Sequence, residues 1–174
     1  MIFVARLDDN KNLAFILRHY GELRHLIGQF TIVGDGDLRE IFEQIATNYD
    51  NIVMTGNLSN RTTQILIGAH DCLVLPSKYD GWGAVVNEAL SVGTRVVCSD
   101  ACGAEVLLDG VMRGESLPVH DLADGLKRWL SKGPIVASSR AEIKQWAMTR
   151  ISGKVASDYF VTAFSSASTH SLWT

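Results

Sequence analysis

The chain has 174 residues, 47% hydrophobic and 20% charged, with a formal charge of −3. That is the apolar content of one globular domain with a sizeable core, too high for disorder, and the small negative balance provides no basic face for nucleic acid. No apolar run reaches the roughly 18–20 residues of a membrane span, and Cys72, Cys98 and Cys102 are too few, and odd in number, for a disulfide scaffold.

The chain opens on a strand-like run, Ile2–Arg6 (IFVAR), with neither the charged start nor the long apolar run of a signal peptide. Such an opening reads as a fragment that begins at a domain edge. A helical stripe follows: Leu13, Ile16, Leu17, Tyr20, Leu23 and His25–Leu26. The second strand is Gln29–Val33. It leads through VGDGD (Val33–Asp37) into a second stripe of Leu38, Ile41, Phe42, Ile45 and Ala46. Strands at Asn51–Thr55 and Cys72–Pro76 come next, then a glycine-rich bend, SKYDGWG, that opens a helix. A fifth strand is expected at Thr94–Ser99 and a weaker sixth at Glu115–Val119, with Asp121 capping a helix whose apolar side is Leu122, Leu126, Trp129 and Leu130. The segment 138–164 reads as two helices, and the Ser-rich 165–174 as a frayed tail.

Several strands are continuously apolar, as strands covered on both faces are. Their alternation with helices predicts a doubly wound, Rossmann-like α/β domain over 1–164: a parallel sheet of about six strands with helices on both faces. Such sheets bind ligands beyond the carboxyl ends of their strands, where the strand order reverses. In the order 3-2-1-4-5-6 the first and fourth strands flank that crevice. The loop after the first strand carries Arg6 and Lys11; the loop after the fourth carries Asp80, Gly81, Trp82 and Gly83 and leads to Glu88. A helix start with glycines offers free N–H groups and a positive dipole end to an anion. Two facing cations would complete a diphosphate pocket, and Glu88 could accept hydrogen bonds from the hydroxyls of a sugar ring such as ribose.

Each residue also has an ordinary reading. Arg6 and Lys11 can be solvated loop charges, Asp80 an acid favoured by the helix dipole, and Trp82 a packing plug. Glu88 is less ordinary, because an unpaired acid on a packing helix face is costly. VGDGD follows the second strand and lacks a third glycine, which excludes the dinucleotide fingerprint and leaves a turn or a ligand-lining edge. The five histidines show no ligand spacing, and Cys98 and Cys102 have no partners for a zinc set, so no metal site is expected.

In order, FVARLDDNKN, FTIVGDGDLREIF, NIVMTGNL, DCLVLPSKYDGWGAVVNEALSVGTRVVCSD and CGAEVLL resemble the carboxyl-terminal domain of retaining glycosyltransferases of GT-B architecture, family 4, over about Ile2 to Leu130. The resemblance implies binding of a UDP- or GDP-linked sugar as substrate, with no cofactor and no metal. Arg6 and Lys11 match the basic pair that contacts the donor diphosphate. Asp80 matches the acid beside the transferred sugar, and Glu88 the acid that holds the ribose. Backbone amides across Gly81, Trp82, Gly83, Ala84, Val85 and Val86 would meet sugar and phosphate oxygens. Thr55–Leu58, with Asn57 and Leu58, would edge the base. Asp80 stands where Glu is usual, and Ala5 where many members have Gly. The acceptor-binding amino-terminal domain of such enzymes is absent from this chain, which implies that the fragment alone is inactive. The full enzyme is then expected in the cytoplasm, peripheral at the inner membrane face, in bacterial surface polysaccharide or lipopolysaccharide synthesis. Two alternatives stay open: half of a GT-B sugar-nucleotide epimerase, and a non-catalytic α/β binding module.

Overall fold

The computed structural model of the chain describes residues 1–108 and 112–151. Six short runs of mainly aliphatic residues form the strands: β1 (Ile2–Val4), β2 (Phe30–Val33), β3 (Ile52–Gly56), β4 (Cys72–Leu75), β5 (Arg95–Ser99) and β6 (Gly114–Leu117). They lie in one parallel sheet in the order β3-β2-β1-β4-β5-β6. Every expected strand is present within one or two residues of its expected bounds, the weak sixth included, and the strand order is the one on which the crevice depends.

The helices are α1 (Leu13–Leu23), α2 (Arg39–Ala46), α3 (Asn60–Ala69), α4 (Ala84–Ser91), α5 (Leu122–Leu130) and α6 (Ala137–Arg150). Alternation of side chains along the strands feeds two separate cores. Phe3, Phe30, Ile32 and Val74 meet α1, α2 and α5 on one face. Ile2, Leu73, Leu75 and Val96 meet α3, α4 and α6 on the other. Tyr20 anchors the first core: its ring stacks on Phe30 at 5.6 Å between centroids and meets Tyr49 edge-on at 4.8 Å. Its hydroxyl donates to Asn51 Oδ1 at 2.9 Å. Burial pushes the Tyr20 phenol up to about 12.

Two expectations about helices need correction. In α2 only Phe42 is fully buried and Ile41 is exposed, because this helix covers the β3 edge of the sheet and presents a narrow stripe to it. Asp121 stands before α5, but its side chain makes no cap bond; it ends a short 3₁₀ turn (Val119–Asp121) and faces His120 at 3.5 Å. Of the two helices expected over 138–164, α6 is the first; the second and the Ser-rich tail lie outside the described residues. Among the described residues no helix is long and apolar enough to cross a membrane.

Candidate functional site

The crevice arises from how β1 is held. It pairs with β2 over three residues but with β4 only at Ile2↔Leu73, so the sheet parts early between its two central strands. Side chains fill the gap. Asn12, buried and in the left-handed region (φ 57°), donates from Nδ2 to the Pro76 carbonyl at 3.0 Å. Asparagine tolerates that conformation where most side chains do not. The Asp8 carboxylate accepts from the Lys11 amide three residues on at 2.8 Å, a local side-chain-to-backbone bond that shapes the loop. Asn10 then binds the facing loop twice: its Nδ2 donates to the Tyr79 carbonyl and its own carbonyl accepts from the Lys78 amide, each at 2.8 Å. Lys78 Nζ meets Asp9 Oδ2 at 2.6 Å outside them.

Inside this clasp Lys11 Nζ lies 2.6 Å from Asp80 Oδ2, with the two side chains only 23% and 15% exposed. The topology therefore brings together a cation and an acid that are 69 positions apart in sequence. Asp80 is also fixed through its backbone. Its amide donates to the Ala101 carbonyl at 3.0 Å, its carbonyl accepts from the Gly103 amide at 3.0 Å, and the Trp82 carbonyl accepts from the Ala104 amide at 2.7 Å. The loop after β5 thus pins the loop after β4, a support that sequence reasoning missed. Its only sequence signal was the run CGAE, whose cysteine has no chemistry of its own to announce it. Cys98 and Cys102 are buried side by side in one core, and their mutual contact holds Cys98 above and Cys102 below the ordinary thiol range. Cys102 in turn donates to the Trp82 carbonyl at 3.2 Å.

Gly83 leads into α4 with φ 80°, and a Cβ there would collide with Cys102 Sγ. The position therefore needs glycine. The amides of Ala84 and Val85 open the first turn, whereas the Val86 amide is engaged with the Gly83 carbonyl at 2.8 Å and the Val86 side chain is in the core. Trp82 is 47% exposed and its Nε1–H donates to Asn87 Oδ1 at 2.9 Å, so it lies across the start of α4 and is no buried plug. Gly81 is exposed beside it.

Glu88 is half-buried on α4 and has no hydrogen bond or ion pair among the described residues; burial raises its carboxyl above the usual range. Arg6 stands apart from the Lys11–Asp80 pair. Its side chain is 65% exposed and reaches Asp37 at 3.5 Å and Asp8 at 3.9 Å. Asn57 is exposed past the end of β3, and Leu58 packs against the core on the α4 face. VGDGD is a close-packed turn: the Leu7 amide donates to the Asp35 carbonyl at 2.9 Å, and a Cβ on Gly34 (φ 137°) would overlap the Ala5 carbonyl oxygen.

Fold and crevice together define a Rossmann-like α/β domain of GT-B type, with its polar loops gathered at the switch point of the sheet. Residues 1–132 match the model of the family Glycosyl transferases group 1, and the chain belongs to that family. The α-D-kanosaminyltransferase of Streptomyces kanamyceticus is 27% identical over 138 residues, covering 75% of this chain and 36% of that protein. A glycogen synthase of Francisella tularensis is 28% identical over 127 residues, covering 70% and 24%. Among solved structures, Anabaena HepE in complex with UDP superposes with a TM-score of 0.79 at 19% identity, covering 95% of this chain and 48% of that one. WaaG, a glycosyltransferase involved in lipopolysaccharide biosynthesis, gives 0.69 at 20% identity, covering 86% and 42%. The chain spans about a quarter to a half of the length of these relatives.

Proposed function

We propose that this chain is the donor-binding, carboxyl-terminal half of a retaining glycosyltransferase that takes a nucleoside diphosphate sugar and acts in surface polysaccharide or lipopolysaccharide synthesis. The observation that carries the reading is the crevice itself. A semi-buried Lys11–Asp80 pair, the glycine-led start of α4 and the unpartnered Glu88 stand around one gap between β1 and β4. A structural salt bridge would explain the pair but leaves Glu88 without a role.

In this reading the amides of Ala84 and Val85 and the Lys11 ammonium receive the diphosphate, and Arg6 swings from its exposed partners to join them. Their positive charge stabilises the charge that develops on the leaving diphosphate, the step where preorganised donors act most strongly. Asp80, held at its Cα by the loop after β5, faces the transferred sugar. Glu88 accepts the ribose hydroxyls, which relieves a carboxylate that the apo fold leaves unpartnered. The base lies toward Asn57 and Leu58. The acceptor is held by a further domain of the full-length enzyme, which also carries any association with the inner membrane face.

Calorimetry with UDP and GDP on the folded chain tests this. Saturable binding is expected, weakened roughly tenfold by Arg6→Ala and by Lys11→Ala, the loss of one charge-assisted contact each. A folded chain that binds neither nucleotide would refute the reading.

A further inference from the structure

At the opposite end of the sheet from the crevice, a hollow of about 360 Å³ lies between the start of β5, the end of α5 and the start of α6. Arg95 lines it. This arginine is only 9% exposed, yet no carboxylate pairs with it among the described residues. Its Nη2 donates to the Gly133 carbonyl at 3.2 Å, and its Nε has no partner. A guanidinium has five N–H donors and no acceptor, and a buried cation short of acceptors is costly.

Two further features point into the same hollow. Lys132 Nζ stands 3.6 Å from the centre of the Trp129 ring, and Arg95 Cζ 5.5 Å from it, so one aromatic face gathers both cations. Trp129 is held in place by its Nε1–H, which donates to Glu115 Oε2 at 3.0 Å. The 14-residue helix α6 also begins here, behind Val136, whose side chain cannot cap, and with no acid in its first turn. The amides of Ala137, Ser138 and Ser139 therefore meet no acceptor among the described residues, and they form the positive end of the helix. Glu142 is the one carboxylate among the lining residues, one turn further along α6.

We propose that this hollow is a second anion site that binds a phosphate group, with the phosphate between the Arg95 guanidinium and the first-turn amides of α6, and Lys132 closing over it. The chemistry suits free phosphate or the phosphate of a small sugar ester whose ring rests on the exposed Val136. The site is independent of the donor crevice and stands whatever that crevice binds.

The test follows the Trp129 indole N–H by NMR in the full chain during titration with inorganic phosphate and, separately, with a hexose 1-phosphate. The expected result is a saturable shift at millimolar phosphate that persists in Lys11→Ala and weakens roughly tenfold in Lys132→Met, which removes one charge-assisted contact. Lys132 is exposed, so that variant keeps the fold where a change at buried Arg95 puts it at risk. Tighter binding of the hexose phosphate assigns an organic phosphate, and equal binding assigns the free ion; either supports the site. No saturable shift, the same shift with sodium chloride at matched ionic strength, or a Lys132→Met variant indistinguishable from the parent would each overturn it.

Discussion

Asp80 is one methylene shorter than the glutamate that the family resemblance implies at its position, and its surroundings make that length consequential. The backbone on both sides is hydrogen-bonded to the loop after β5, so its Cα cannot advance toward a ligand, and its carboxylate already meets Lys11 at 2.6 Å. A glutamate here would have to displace the lysine or extend past it into the crevice. If, as proposed, Asp80 faces the transferred sugar and the longer side chain extends past Lys11, Asp80→Glu should keep UDP affinity within about threefold while changing the extra affinity that a UDP-sugar shows over UDP. Calorimetry with UDP and UDP-glucose side by side reads that difference; equal effects on both ligands would place Asp80 away from the sugar. Lys11→Ala also leaves an 85%-covered carboxylate without its cation, and should cost about 2 kcal/mol of stability in urea unfolding. Arg6→Ala should cost almost none, because its partners are exposed and screened. Glu88 gives the opposite sign. Burial raises its folded carboxyl above the ordinary 4.5, so the folded chain disfavours the charged form: stability is full below 4.5 and is lost as pH rises through the folded value. Glu88→Gln should therefore melt higher than the parent at pH 7 and equal to it at pH 4, while binding UDP more weakly. An unchanged UDP affinity would remove Glu88 from the site.

At the scale of elements, what holds the crevice is three loops laced to each other, and glycine sets the closest approaches. Gly83→Ala would force a Cβ onto Cys102 Sγ at a left-handed φ of 80°. Unfolding should show a loss of about 2 kcal/mol or more, accompanied by loss of nucleotide binding, because the first-turn amides of α4 are displaced with it. The strands and most helices were legible because hydrophobic periodicity reports burial directly. Phe3, Phe30 and Leu73 are found where their runs place them, and Lys11 and Asp80 meet because the sheet has the common order in which β1 and β4 lie side by side at the switch point. The lacing was not legible. Asn10, Asn12, Lys78 and the backbone of Ala101–Ala104 act through a few long-range polar contacts, and no periodicity marks a residue that matters only through its partner across the fold. Asp121 shows the converse failure: a favoured capping residue at the right place, overridden by the 3₁₀ turn that precedes α5.

For the molecule as a whole, the two ends of the sheet divide the work: the carboxyl end opens a crevice, and the amino end binds the layers together. His70 is the junction at the amino end. Its Nδ1 is 2.7 Å from the Leu66 carbonyl and its Nε2 is 2.8 Å from Thr31 Oγ1. Its own carbonyl accepts from Arg140 Nη2 at 3.0 Å, so α3, β2 and α6 meet at one residue. The bond to a carbonyl requires a proton on Nδ1, and the neutral ring then accepts the Thr31 hydroxyl proton at Nε2. Burial lowers the His70 pKa below its ordinary 6.5; the bond to the Leu66 carbonyl and Asp71 oppose it, and the Met1 amino group and Arg140 act in the same direction as burial. A histidine with a lowered folded value contributes stability that is complete above 6.5 and is lost as pH falls through the folded value. Protonation would also turn Nε2 into a donor facing a hydroxyl whose own proton must then rotate away. Melting temperature should accordingly fall more steeply once the pH drops below 6.5, on top of the loss that the buried Met1 amino group, also lowered from its ordinary 8.0, begins below pH 8. His70→Gln should be less stable than the parent at pH 7 yet show a shallower fall between pH 6.5 and 5. Parallel curves for parent and variant across that interval would show that the ring is not the group whose protonation loosens the three layers.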